Sequence, residues 1–314
     1  MSNLNKSFFF TVILLFFFIQ LKAQVIIFEK NTLEKIQNGE THIIVGDPHF
    51  PHADEFLEVF KKYWTITKGV DYIAKENLTG NMVAGDTYFS LEANVVTGSN
   101  GGGNIYVYLN LWQPTSKALK DKKYKISHEA GLAHVVLSVD VSTMVDSYFG
   151  AKNLKFDFDG GGHFYHWNAG FLKNYLQMLV TQIKTGRKFD YHDDITDKSQ
   201  LGLLKNQTLY CPEDNLNKMG TFVKIGKMND IKDIFEDYKF NYKSISDSDL
   251  GEQIMKDTEP FYYLLFVRNS NSKLVLVINS RTGELVYSRH STSMSAANLK
   301  SGDVKDIYKV VKKD

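Results

Sequence analysis

A single cysteine, Cys211, stands in a chain of 314 residues, so no internal disulfide is available and an ordinary buried core has to carry the fold. Charge of either sign is also lacking in excess. Thirty-seven basic residues face 36 acidic ones, and a balance of +1 gives no global field to steer the chain onto nucleic acid or an anionic membrane. The nearest basic clusters, residues 120–125 and 309–313, are short and interrupted, as expected of a solvated loop and a solvated end. Strong catalytic signatures are missing too. His128 and His134 lie six apart rather than four, and six residues turn a helix by about 600°, which leaves the two rings on opposite faces and excludes a zinc-protease helix. The glycines of residues 98–103 lie between two strand-like runs, whereas a phosphate cradle needs a helix start behind it, so they read as a hairpin loop.

One long hydrophobic run is present, at the beginning. A polar start with Lys6, an apolar stretch over residues 8–19 broken only by Thr11, and Leu21-Lys22-Ala23 have the plan of a secretory signal peptide. The run is shorter than the roughly 20 residues that span a bilayer. We therefore expect residues 1–23 to be removed and the mature protein to begin near Gln24, secreted or periplasmic, with no stable membrane insertion and no nucleic-acid partner. Loss of Lys6 and Lys22 with no acidic residue leaves the remainder close to neutral.

The rest of the chain is organised around a pattern that occurs twice. Phe56, Val59, Phe60 and Tyr63 sit at helical spacing, as do Ile231, Ile234, Phe235 and Tyr238, and Tyr88 and Leu91 are answered by Tyr263 and Phe266 at the same offset. Each unit reads as helix, strand, short helix, strand, with an entering strand at residues 41–44 and 208–211. The expected fold class is α/β: two tandem, possibly duplicated units with mixed sheets. The expected layout is a signal peptide (1–23), an N-terminal domain (24–190), a polar linker (191–200) and a C-terminal domain (201–314). Two unrelated α/β pieces of similar pattern are the alternative.

Two stretches carry groups capable of chemistry. Asp47, His49 and His52 lie where the strand at residues 41–45 meets the helix starting near Asp54, the sheet end at which open α/β proteins place ligands; Pro48 and Pro51 keep this segment extended. The alternative is a loop with exposed or capping histidines. Residues 156–168 are the most unusual stretch of the chain: Asp157 and Asp159 alternate with Phe156 and Phe158, three glycines follow, and then come His163 and His166 before a long helix over residues 169–185. Carboxylates with imidazoles suit a divalent metal such as zinc, manganese or iron, so Asp157, Asp159, His163 and His166 are the candidate ligands. The competing reading is a glycine-rich connection with an aromatic cluster packed over the helix start. In that helix Leu172, Leu176, Leu179 and Ile183 form the expected buried stripe.

In the second unit the order strand, helix, strand, helix, strand, strand, helix has the outline of a thioredoxin fold, with Cys211-Pro212 at the first strand's end and Pro260 before a later strand. Three function classes follow. The first is a secreted non-catalytic binding or structural protein whose partner is an unknown ligand or envelope protein. The second is a metal-dependent hydrolase using the 157–166 stretch, with Asp47, His49 and His52 beside it. The third is a monothiol redox protein using Cys211.

Overall fold

The computed structural model describes residues 25–97, 103–121, 129–148, 158, 164–186, 194–219, 226–256, 259–268, 272–292 and 298–313. The first part of the chain runs β1 (Val25–Ile27), α1 (Thr32–Ile36), β2 (Thr41–Val45), α2 (Ala53–Tyr63), β3 (Val70–Ala74), β4 (Thr87–Thr97), β5 (Gly103–Pro114), β6 (Glu129–Val139), α3 (Val141–Tyr148), β7 (Phe164–Tyr165) and α4 (Ala169–Lys184). The second runs β8 (Ile195–Thr196), α5 (Lys198–Leu201), β9 (Leu209–Pro212), α6 (Ile231–Ile234), β10 (Tyr242–Ile245), α7 (Asp247–Lys256), β11 (Tyr262–Arg268), β12 (Ser272–Asn279), β13 (Leu285–Thr292) and α8 (Ser301–Lys313). No helix among the described residues is long and apolar enough to cross a membrane.

The chain is an α/β protein with two mixed sheets that share one order of pairing. The seven-stranded sheet runs β1-β6-β5-β4-β2-β3 with β7 on β6, and the six-stranded sheet runs β8-β13-β12-β11-β9-β10. In each, the entering strand pairs in parallel with both of the next two strands (β2 with β3 and β4, β9 with β10 and β11), and an antiparallel meander follows. The registers agree as well. Thr41 faces Thr87 as Leu209 faces Tyr262, and Tyr88 faces Trp112 as Tyr263 faces Ile278. The connecting helices take corresponding faces: α2 packs with Phe89, α6 with Leu264, while Leu78 packs with Tyr88 and α7 shares a core with Tyr263.

Corresponding faces point the same way, so the two sheets stack front to back. Phe89, Leu109 and Leu111 of the first sheet and Tyr263, Leu265 and Leu276 of the second belong to one continuous core, with α4 between them. The other face of the second sheet, with Leu264, Phe266 and Val277, is covered by Ile234, Phe235 and Tyr238 and by Val304, Ile307 and Val311 of α8.

Helix α4 departs from its expected one-sided stripe. Leu172, Leu176, Leu179 and Ile183 are buried, and so are Phe171, Tyr175, Met178 and Val180 around the remaining circumference. Its polar residues imitate a solvated face but are consumed by the second unit. Lys173 Nζ donates to the Ile254 carbonyl at 2.9 Å, Asn174 Nδ2 donates to the Ser280 carbonyl at 2.9 Å, and Tyr263 Oη donates to Asn174 Oδ1 at 2.9 Å.

The second amphipathic helix is shorter than its spacing predicts. It is regular only over Ile231–Ile234, capped by Asp230, and Phe235 to Tyr238 continue as a turn whose aromatic rings still reach the core. Glu236 and Asp237 put two negative charges where the helix dipole is also negative, which opposes continuation. Residues 195–196, inside the expected linker, form the edge strand β8 on β13. The glycines at 98–102 lie outside the described residues, and the flanking β4 and β5 pair antiparallel to Thr97 and Gly103. The stretch from Glu129 to His134 is strand, in keeping with the excluded zinc-protease helix.

Candidate functional site

A cleft of about 810 Å³ opens where three elements converge at the junction of the two units. One wall is the approach to α2 and its first turn, with Pro51, His52, Glu55 and Phe56. A second is the start of α4, with Trp167, Asn168 and Gly170. The third is α7, with Ser248, Gly251, Glu252, Met255 and Lys256. Apolar surface comes from Phe56, Trp167 and Met255, while the charged groups stand as neighbouring pairs, His52 Nδ1 with Glu55 at 3.4 Å and Lys256 with Glu252 at 3.6 Å. The aromatic wall is closely packed. Trp167 packs with Phe56 at 6.0 Å and Phe158 at 5.5 Å between ring centroids, and its Nε1–H donates to the Phe158 carbonyl at 2.9 Å.

Local chemistry explains how the walls are placed. Asn168 is extended and caps α4, its Oδ1 accepting from Gly170 N at 3.0 Å and Phe171 N at 3.2 Å. Its Nδ2 donates to the Asp247 carbonyl at 2.9 Å, which ties the cap to α7. The two helices meet at glycines. A Cβ on Gly251 would collide with the Asn168 side chain, and one on Gly170 with the Gly251 backbone.

Behind this wall lies a buried polar cluster. His166 is 2% exposed, and Asp247 Oδ2 accepts both its backbone N–H at 2.8 Å and its Nδ1–H at 2.7 Å. Burial acts against the Asp247 carboxylate, yet the charge and hydrogen bonds of His166 hold it below the usual carboxylate range. Asp214, facing it, is pushed up by burial and by the Asp247 charge. Arg268 lies 5.8 Å from the Tyr165 ring, 1% exposed, with Nη2 donating to the Asn217 carbonyl at 2.6 Å; burial lowers its guanidinium to about 10. Asp247 also shares a side-chain hydrogen bond with Asp214, while His166 Nε2 and Arg268 Nε and Nη1 are buried with no hydrogen-bond partner among the described residues. Leaving such groups buried is costly.

The predicted site residues divide. His52 reaches the cleft, whereas Asp47 and His49 are exposed on the connection before it, where Asp47 Oδ1 accepts from His49 N at 2.8 Å. His166 stands behind the cleft wall with its Nδ1 committed to Asp247. Asp157, Asp159 and His163 lie outside the described residues, and among the described residues no group of three or more His, Cys, Asp or Glu side chains is placed to hold a metal ion. Phe158 and Trp167 do pack over the helix start. Cys211 is fully buried, and burial pushes its thiol up to about 12, which disfavours the thiolate that redox exchange requires. Because β9 and β11 run parallel, Pro260 lies at the opposite sheet end from Cys211 and does not join it in a thiol site.

Asp247, Asp214, Arg268 and the Gly170–Gly251 crossing were outside the sequence-derived set. The one available signal was Arg268, a lone cation ending the apolar run of residues 261–267. Comparisons of the chain with family models, with curated proteins and with solved structures found no match.

Proposed function

We propose that the protein is a secreted or periplasmic binding protein whose ligand is a small amphipathic molecule, held in the cleft between the starts of α2 and α4 and the exposed face of α7. The observation that carries this reading is the cleft itself. Its volume of about 810 Å³ is that of a small-molecule site, and an aromatic and aliphatic wall beside a few polar groups is the usual composition of one. Trp167, Phe56 and Met255 would take the apolar body, and Asn168, His52, Glu55, Glu252 and Lys256 the polar ends. The address rests on the signal-like residues 1–23, and the mature chain sequenced from the producing cell should begin near Gln24.

We infer further that the two units are a repeat, supported by their common order of strand pairing, register and helix faces. An overlay of residues 41–112 on 209–279 in which the paired strands failed to coincide would remove that inference.

The binding reading is tested with the dye 1-anilinonaphthalene-8-sulfonate, whose apolar rings and single charge match the cleft. Saturable binding with energy transfer from Trp167 is expected for the parent protein, and its loss in Ser248→Trp, which fills the opening from an exposed position. Equal binding by the variant would refute the cleft as the site.

A further inference from the structure

Two residues flanking the cleft, His52 (φ 65°) and His166 (φ 59°), have left-handed backbones. Histidine tolerates this region better than most residues but still at a cost, and such strain persists only where neighbours impose it. For His52 no side-chain hydrogen bond caps the helix that follows. For His166 the imposing group is evident. Asp247 Oδ2 takes both its backbone N–H and its ring Nδ1–H, and Tyr175 Oη donates to its carbonyl at 2.9 Å. The same Asp247 accepts Asn168 Nδ2 on its own carbonyl.

We propose that Asp247 is the positioning residue of the cleft: from the first turn of α7 it holds His166 in the left-handed conformation and thereby aims Trp167 and Asn168 into the cleft wall. This deepens the binding reading by assigning the cleft's geometry to one carboxylate that does not itself line it. The residue between the two anchored positions is Trp167, so its ring is fixed from both sides. The groups facing Asp247 are consistent with a fixed anion. His166 comes from the turn before α4, Asp214 from the turn after β9, and Arg268 and Tyr165 stand behind them, while Cys211 is neutral.

The test needs no ligand. Of the three tryptophans, Trp64 and Trp112 are 2% and 0% exposed, and Trp167 is half-buried at the cleft, so acrylamide quenching of the full chain reports on the cleft wall. In Asp247→Ala the quenching constant should rise by about twofold, since the left-handed residue is no longer held. His166→Ala and His166→Gly both delete the ring and keep the backbone N–H for Asp247, but only glycine adopts positive φ freely. The alanine variant should therefore quench like Asp247→Ala, and the glycine variant close to the parent. A general loss of packing would move both alike, and that result overturns the proposal, as would parental quenching in a folded Asp247→Ala. If Asp247→Ala does not fold, the pair at position 166 decides. Failure of the dye to bind while the quenching pattern holds would remove the ligand reading and leave the positioning role standing.

Discussion

Glu129 ionises far outside the ordinary range of a carboxylic acid. Burial, and then the neighbouring Glu92 carboxyl, push it up from 4.5 to about 9, with Lys75 opposing. Asn110 Nδ2 reaches both acids, Glu92 Oε1 at 2.7 Å and Glu129 Oε2 at 3.5 Å, and Ser90 Oγ donates to Glu92 Oε1 at 2.7 Å. The folded state therefore keeps a proton that the unfolded chain gives up. With the folded value raised, the stabilisation is complete below pH 4.5 and is lost as pH rises through about 9. In Glu129→Gln, which keeps an acceptor for Asn110 and cannot ionise, the fall of Tm between pH 5 and pH 9 should be smaller than in the parent. Parallel Tm profiles for the two proteins would contradict the assignment.

Among the elements, α4 is the one on which both units depend, and its crossing with α7 is closed by Gly251. No adjustment at the end of a flexible side chain makes room for a methyl group there, because Asn168 is engaged as the cap. Gly251→Ala should cost about 1–3 kcal/mol through overpacking, more than an exposed helical glycine, where alanine would add about 1 kcal/mol of stability. Chemical denaturation measures it, and a neutral or stabilising effect would show that the crossing is not tight. This dependence was only half legible in the sequence. The 3.6-residue period revealed α4 and its leucine stripe, and the strand-like runs on either side of residues 98–103 revealed β4 and β5, because those signals are local. Lys173 and Asn174 hid the second buried face, since a polar residue satisfied by a partner distant in sequence looks the same as a solvated one. Asp247 was hidden for the same reason: an acid in a first helical turn has an adequate local role, and its bond to His166 spans 81 positions.

For the whole molecule, front-to-back stacking gives the two sheets unlike surroundings. The first sheet shows this at one end. Positions corresponding to Leu265, Val267, Leu274 and Leu276, buried against α4 in the second unit, are Ser90, Glu92, Tyr108 and Asn110 in the first. At the other end α8, which covers its sheet as α4 covers the first, shows Lys305, Asp306, Lys309 and Lys312 to solvent. Polar side chains thus stand on the first sheet, where Ser90 and Asn110 are buried, and on the solvated side of α8, and the cleft lies beside α4 between them. The measurement that bears most directly on its role is a crystal structure of the protein grown with 1-anilinonaphthalene-8-sulfonate. The account predicts the dye's rings against Trp167 and Met255; dye bound elsewhere with this cleft empty would contradict it.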